Sequence, residues 1–200
     1  MDNLAREYII SLFETKLMLH GDRPEAVGWS ERGQRLRFKM MLDVGDFRNS
    51  RVLDFGCGKG DFYAFLCEKG IPVFYTGVDI NRKLIDLAKS KYPDQDFRVF
   101  SLEDDILDED FDYIFLCGVF NVKVEGIETV IRKTLSALWH HCRQALVFNA
   151  LSSHVRHKDV ALHYASPEDL LGFAKANLSQ RVSLKEDTID SDFMLFVYRD

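Results

Sequence analysis

The sequence lacks any segment apolar enough to enter a membrane. Its opening stretch, MDNLAREYIISLFETKLMLHGD, breaks its hydrophobic residues with Asp2, Arg6, Glu7 and Glu14. A membrane helix needs about 20 mostly apolar residues, and a signal peptide needs an unbroken apolar core. Neither is expected, and apolar runs such as YIFLC and ALVF have the length of strands. Cysteine is sparse, and the residues at 57, 67, 117 and 142 form no CxxC pair. Zinc and disulfide readings are therefore weak, no metal is assigned, and a reducing cytoplasm is the default location. No lysine- or arginine-rich block is present, and the formal net charge is −6, which counts against nucleic acid as a partner. Internal repeats, low-complexity tracts and linkers are also missing. With 46% hydrophobic and 29% charged residues, 200 residues suit one folded domain that needs no covalent staples.

What is present is alternation. Residues 3–19 place Leu4, Tyr8, Ile9, Leu12, Phe13 and Leu17 at helical spacing. A polar, glycine-bearing loop leads into a second helix through LRFKMMLDV. From residue 51 onward, strands are expected at 51–55, 73–79, 97–101, 111–117 and 144–150, with helices near 60–69, 81–91 and 125–142 between them. A last helix starts at SPEDLLGFAKANL, where Ser166 is a good N-cap. Strands near 180–187 and 192–199 then form a hairpin around a turn at TIDSD. The pattern predicts an α/β fold: a doubly wound, seven-stranded, mostly parallel sheet with an antiparallel C-terminal hairpin. Residues 1–50 form an N-terminal helical cap on a 51–200 core.

Chemistry concentrates at VLDFGCGKGDF, residues 52–62. In an open parallel sheet, ligands bind beyond the carboxyl ends of the strands. Gly56, Gly58 and Gly60 let backbone amides approach a ligand there. A second signal, FYTGVDIN, ends a strand on Asp79, 21 residues beyond Gly58. An acid so placed can accept hydrogen bonds from both hydroxyls of a ribose. The spacing is D-x-G-x-G-x-G followed by Asp61, without the GxGxxG of dinucleotide sites. Carboxylates at 54 and 61 are poor company for a pyrophosphate and suit a cationic ligand, such as an ammonium and a sulfonium.

These two motifs resemble motifs I and II of class I S-adenosylmethionine-dependent methyltransferases, and GWSERGQRLRF upstream is similar to the leader of some small bacterial and phage-type members. The resemblance covers about three quarters of the chain, from 51 to 200. It implies a Rossmann-like core, a single methyltransferase domain and S-adenosylmethionine as cofactor. Asp54, Gly56, Cys57, Gly58 and Gly60 would then surround the methionine end and the ribose. Asp79 would hold the ribose, with Ile80 beside the adenine. The adenine amino group would meet an acid from Glu103, Asp104 and Asp105, of which Asp104 and Asp105 are favoured. Cys117, Gly118 and Phe120 would lie near the methyl group. Trp29 would line the pocket and Arg37 would pair with the methionine carboxylate.

The segment at 148–164, after the fifth strand, holds Asn149, His154, His157, His163 and Tyr164. It reads either as a surface loop or as a substrate lid carrying a general base; a metal site is the weakest reading. The expected reaction is in-line methyl transfer, which needs a base only if the acceptor must lose a proton, and no residue is assigned as catalytic. CGVFN follows the fourth strand in place of an N/D-P-P-Y/F motif, which favours a small-molecule acceptor over nucleic acid; a protein side chain is the further possibility. The alternatives are a non-catalytic cofactor-binding or scaffold protein of the same fold, and an NAD-linked oxidoreductase. The sequence does not give the oligomeric state.

Overall fold

The computed structural model describes residues 1–186 and 191–199. The chain opens with α1 (Asn3–His20), a 3-10 turn (Pro24–Val27) and α2 (Glu31–Met41). There follow β1 (Arg51–Phe55), α3 (Asp61–Glu68), β2 (Phe74–Asp79), α4 (Arg82–Lys91), β3 (Asp96–Val99) and β4 (Phe111–Cys117). The remainder is α5 (Ile127–His140), β5 (Cys142–Leu151), α6 (Pro167–Asn177), β6 (Val182–Lys185) and β7 (Asp192–Tyr198).

The strands form one seven-stranded sheet in the order β3-β2-β1-β4-β5-β7-β6. Pairings from β3 through β5 are parallel, whereas β7 runs antiparallel to both β5 and β6. The expected sheet and hairpin are therefore observed, with β7 inserted between its hairpin partner and the parallel strands. The tip of the hairpin, in the TIDSD stretch, lies largely outside the described residues. The order reverses between β1 and β4, so a crevice opens at their carboxyl ends.

Both faces of the sheet are covered, which is why its central strands are apolar on either side. One face sets Leu53, Ile114, Leu146 and Phe148 against Ile131, Leu135 and Leu138 of α5 and Leu170 of α6. The other sets Val52, Phe115, Val147 and Phe196 against α2, α3 and α4. Phe38 of α2 packs on Phe62 and Phe65 of α3, with ring centroids 5.2 and 5.6 Å apart. So α2 belongs to the core, whereas α1 buries no residue.

Four helix starts follow from side-chain caps. Asp2, Ser30, Asn81 and Ser166 accept from the amides of Ala5, Gly33, Leu84 and Asp169. The Ser30 cap corrects the sequence expectation for the second helix: with Glu31 in the first turn, α2 starts inside the segment expected to be a loop. The third strand ends two residues early, because Asp105 accepts from the Ser101 amide (2.8 Å) and the chain turns away.

Candidate active site

The glycine turn is tied to β2 before it meets any ligand. The amides of Gly56 and Cys57 both donate to the Val78 carbonyl, at 2.7 and 3.0 Å. Gly56 has φ +79°, and a Cβ there would lie 2.6 Å from a methyl of Val119. Only glycine meets both demands. The turn therefore brings bare backbone against the residues that follow β4.

The cleft at this point offers about 1220 Å³ of empty space, part of it open to solvent. Asp79 ends β2, and its carboxylate accepts from the amides of Gly58 (2.9 Å) and Asn81 (2.8 Å). Burial raises its pKa, and the amides of Asn81, Gly58 and Ile80 pull it back down. Asp54 lies deeper, on β1, and accepts from the Tyr75 hydroxyl at 2.6 Å. Burial pushes the Asp54 carboxyl up to about 7, and the negative charges of Asp79 and Asp61 add to that rise. Among the described residues, no lysine, arginine or histidine forms a salt bridge to Asp54 or Asp79. A buried acid and a half-buried one, neither with a counter-charge among the described residues, leave a cation-seeking hollow.

Asp61 differs from the pairing expected for it. It lines the cleft, but Lys59 binds it at 2.6 Å and Gln34 donates to it at 2.8 Å, so its charge is met within the protein. Of the three acids after β3, Glu103 lines the cleft, in place of the favoured Asp104 and Asp105. Asp104 turns outward to Arg6 of α1, while Asp105 is used in holding the turn at Ser101. Ile80 stands on the wall next to Asp79.

Cys57 and Gly58 also line the cleft; Gly60, which caps α3, stands behind it with φ +80°. At the other end, Cys117, Gly118 and Phe120 reach the wall together with Trp29. Gly118 has φ +67°, and a Cβ there would lie 2.3 Å from the Trp29 ring. The indole thus rests directly on the backbone after β4. Burial raises the Cys117 thiol pKa, so it stays protonated.

Arg37 and Asn149 are not on this wall. Arg37 stacks over Trp29, 3.8 Å from the ring centroid, and its guanidinium forks onto the buried carboxylate of Asp192. Asn149 donates to Asp192 (3.1 Å) and to the Phe193 carbonyl (3.0 Å). The fork expected to meet a ligand carboxylate is thus already occupied by one from β7. His154 lies at the surface, held by Glu168 and Glu186 at 3.0 Å each, and His157 is exposed. Neither borders the cleft, and no metal-holding group of three or more His, Cys, Asp or Glu occurs among the described residues.

Several wall residues escaped the sequence reading. Ile9, Ile10 and Phe13 come from α1, Phe100 from beyond β3, and Val130 and Thr134 from α5. The α1 stripe was visible as periodicity, but spacing does not say what a stripe faces. Asp192 gave no signal, because it reads as one more turn acid.

The sheet, parallel from β3 through β5 with β7 antiparallel between β5 and β6, carries a glycine turn at its switch point and an acid at the tip of the next strand, and has the Rossmann-like methyltransferase fold. Residues 53–151 match a family model described as a methyltransferase domain. The chain is 29% identical over 152 residues to a Mycobacterium tuberculosis protein named as a methyltransferase, Rv1506c, covering 73% of this chain and 91% of that one. The fold is shared with magnesium protoporphyrin IX methyltransferase from Synechocystis PCC 6803, solved with bound S-adenosylhomocysteine (SAH). There the TM-score is 0.70 at 16% identity, covering 98% of this chain and 99% of that one. A DhpI–SAH complex gives a TM-score of 0.72 at 15% identity, with 97% and 96% covered. Among the described residues, no helix is long and apolar enough to cross a membrane.

Proposed function

We propose that the protein methylates a small-molecule acceptor at this cleft. The observation that carries the reading is the pair of acids at the tips of neighbouring strands, Asp54 buried and Asp79 half-buried, with no salt bridge to a cation among the described residues. In this reading Asp79 binds the ribose hydroxyls, Ile80 packs on the adenine and Glu103 accepts from the adenine amino group. Asp54 neutralises the ammonium, and the backbone at Gly56, Cys57 and Gly58 lies along the methionine portion. Gly60 supports the turn from behind. The cofactor supplies a sulfonium methyl that is already activated.

The chain's part is then to orient the acceptor and exclude water, worth up to roughly 7–11 kcal/mol when alignment is good. Trp29, Cys117, Gly118 and Phe120 would wall the acceptor side. None of these four supplies a general base, which fits an acceptor whose nucleophile needs no help in losing a proton. The apolar wall and the acidic charge balance favour a small molecule, and the Synechocystis relative acts on a magnesium porphyrin by its name. Calorimetry with SAH and with NAD tests the first half: micromolar SAH binding is expected, and binding of NAD alone overturns it. Transfer of labelled methyl across a metabolite panel, with a protein lysate and oligonucleotides as further arms, tests the second. Label appearing only in a macromolecule would refute the small-molecule reading.

A further inference from the structure

Tyr75 touches the site only through Asp54. It pairs in register with Val52, and Asp54 pairs with Gly77, so Tyr75 and Asp54 are diagonal neighbours on one face of the sheet. Gly77 leaves the intervening space free of a side chain; a Cβ there would come within 2.8 Å of Phe97 and 3.0 Å of the Cys57 sulfur. The Tyr75 ring is wedged between Tyr63 and Phe97, with centroids 5.0 and 5.5 Å away. Wedged in this way, its hydroxyl donates to Asp54 at 2.6 Å. A phenylalanine would fill the same core space, so packing alone does not explain the oxygen.

Its electrostatic effect has a definite sign. The groups that bear on Asp54 are Tyr75 and Asp79 of β2, Asp61 at the start of α3, Cys57 in the turn and Cys117 on β4. None is basic. Burial and the two acids favour the protonated carboxyl, while the Tyr75 hydroxyl alone among them favours the ionised one.

We infer that Tyr75 is a positioning residue: its hydroxyl holds Asp54 aligned and ionised for the ammonium of the cofactor and so sets the pH range over which the cofactor binds. This rests on the reading that Asp54 meets that ammonium. With the Asp54 carboxyl near 7 in the free protein, lowering the pH through neutrality protonates it and weakens binding of a cation. Without the hydroxyl, the same loss begins at higher pH.

The test is SAH affinity measured by calorimetry from pH 5.5 to 9 for wild type, Y75F, D54N and the double variant. Wild-type affinity is expected to fall below neutrality, and the Y75F midpoint to move up by about one pH unit, the size of one hydrogen bond to a charged group. Near pH 6 that is about a tenfold loss, which recovers by pH 9. In D54N the pH dependence should vanish, and Y75F should then cost nothing more. A Y75F profile that stays where wild type lies, or drops equally at every pH, overturns the inference while leaving the cofactor site intact. A Y75F protein that no longer folds, judged by circular dichroism, assigns the hydroxyl to stability and overturns it too. Wild type that binds no SAH at any pH refutes the underlying reading instead.

Discussion

The two ends of the cleft are built on different terms. At the end walled by β1 and β2, the chain places Asp54, the glycine turn and Asp79 within 26 residues of sequence, on adjacent strands held in register. Among the described residues, neither acid there has a salt bridge to a cation. At the end walled by Trp29 and Gly118, the supporting groups come from α2, β5 and β7, and each charge is answered: Arg37 meets Asp192, and Asn149 closes on the same carboxylate. One end is left incomplete for a ligand and the other is completed by the fold. Substitutions should therefore register as lost affinity at the first end and as lost stability at the second.

The largest effect is expected at the second end. Arg37→Met leaves Asp192 buried with Asn149 and Ser191 as its side-chain partners among the described residues, and stranding one member of a buried ion pair costs about 3–5 kcal/mol. Chemical denaturation should show a loss of that size, with SAH affinity little changed in protein that remains folded. The opposite result, intact stability with weakened binding, would mean that Arg37 reaches the ligand carboxylate and would erase the contrast between the two ends.

Next in size is Asp79→Ala. Loss of charge-assisted hydrogen bonds to the ribose should weaken SAH binding by about 1–3 kcal/mol. The melting temperature should move less than in Arg37→Met. Unchanged affinity in a folded variant would remove Asp79 from the site.

The same contrast explains what the sequence made legible. Asp54, the glycines and Asp79 are readable because strand, turn and strand tip are consecutive, and their chemistry is written at fixed spacing. The sheet was readable for a similar reason, since β and α segments alternate with clear periods from residue 51 onward. Trp29 and Gly118 are 89 positions apart, and Arg37 and Asp192 are 155 apart. Their meeting depends on tertiary packing that no local pattern encodes. The three consecutive carboxylates after β3 take different directions. The Met1 ammonium and the Ser101 hydroxyl hold Glu103, Arg6 holds Asp104, and the Ser101 amide holds Asp105. None of these partners is visible in the run Glu103–Asp105.

The smallest effect concerns the segment after β5, where a histidine at a sheet's ligand-binding edge invites a catalytic role. His154 is instead about half exposed, and its two ring nitrogens face Glu168 of α6 and Glu186 beyond β6. Surface pairs of this kind contribute little, because water already solvates both partners and ordering the side chains costs entropy. His154→Ala should therefore change stability by less than about 0.5 kcal/mol and leave SAH affinity at its wild-type value. Its distance from the cleft is what makes the measurement useful. A clear loss of affinity would bring the 148–164 segment over the cofactor, joining to the ligand-facing end a region that the fold keeps apart from it.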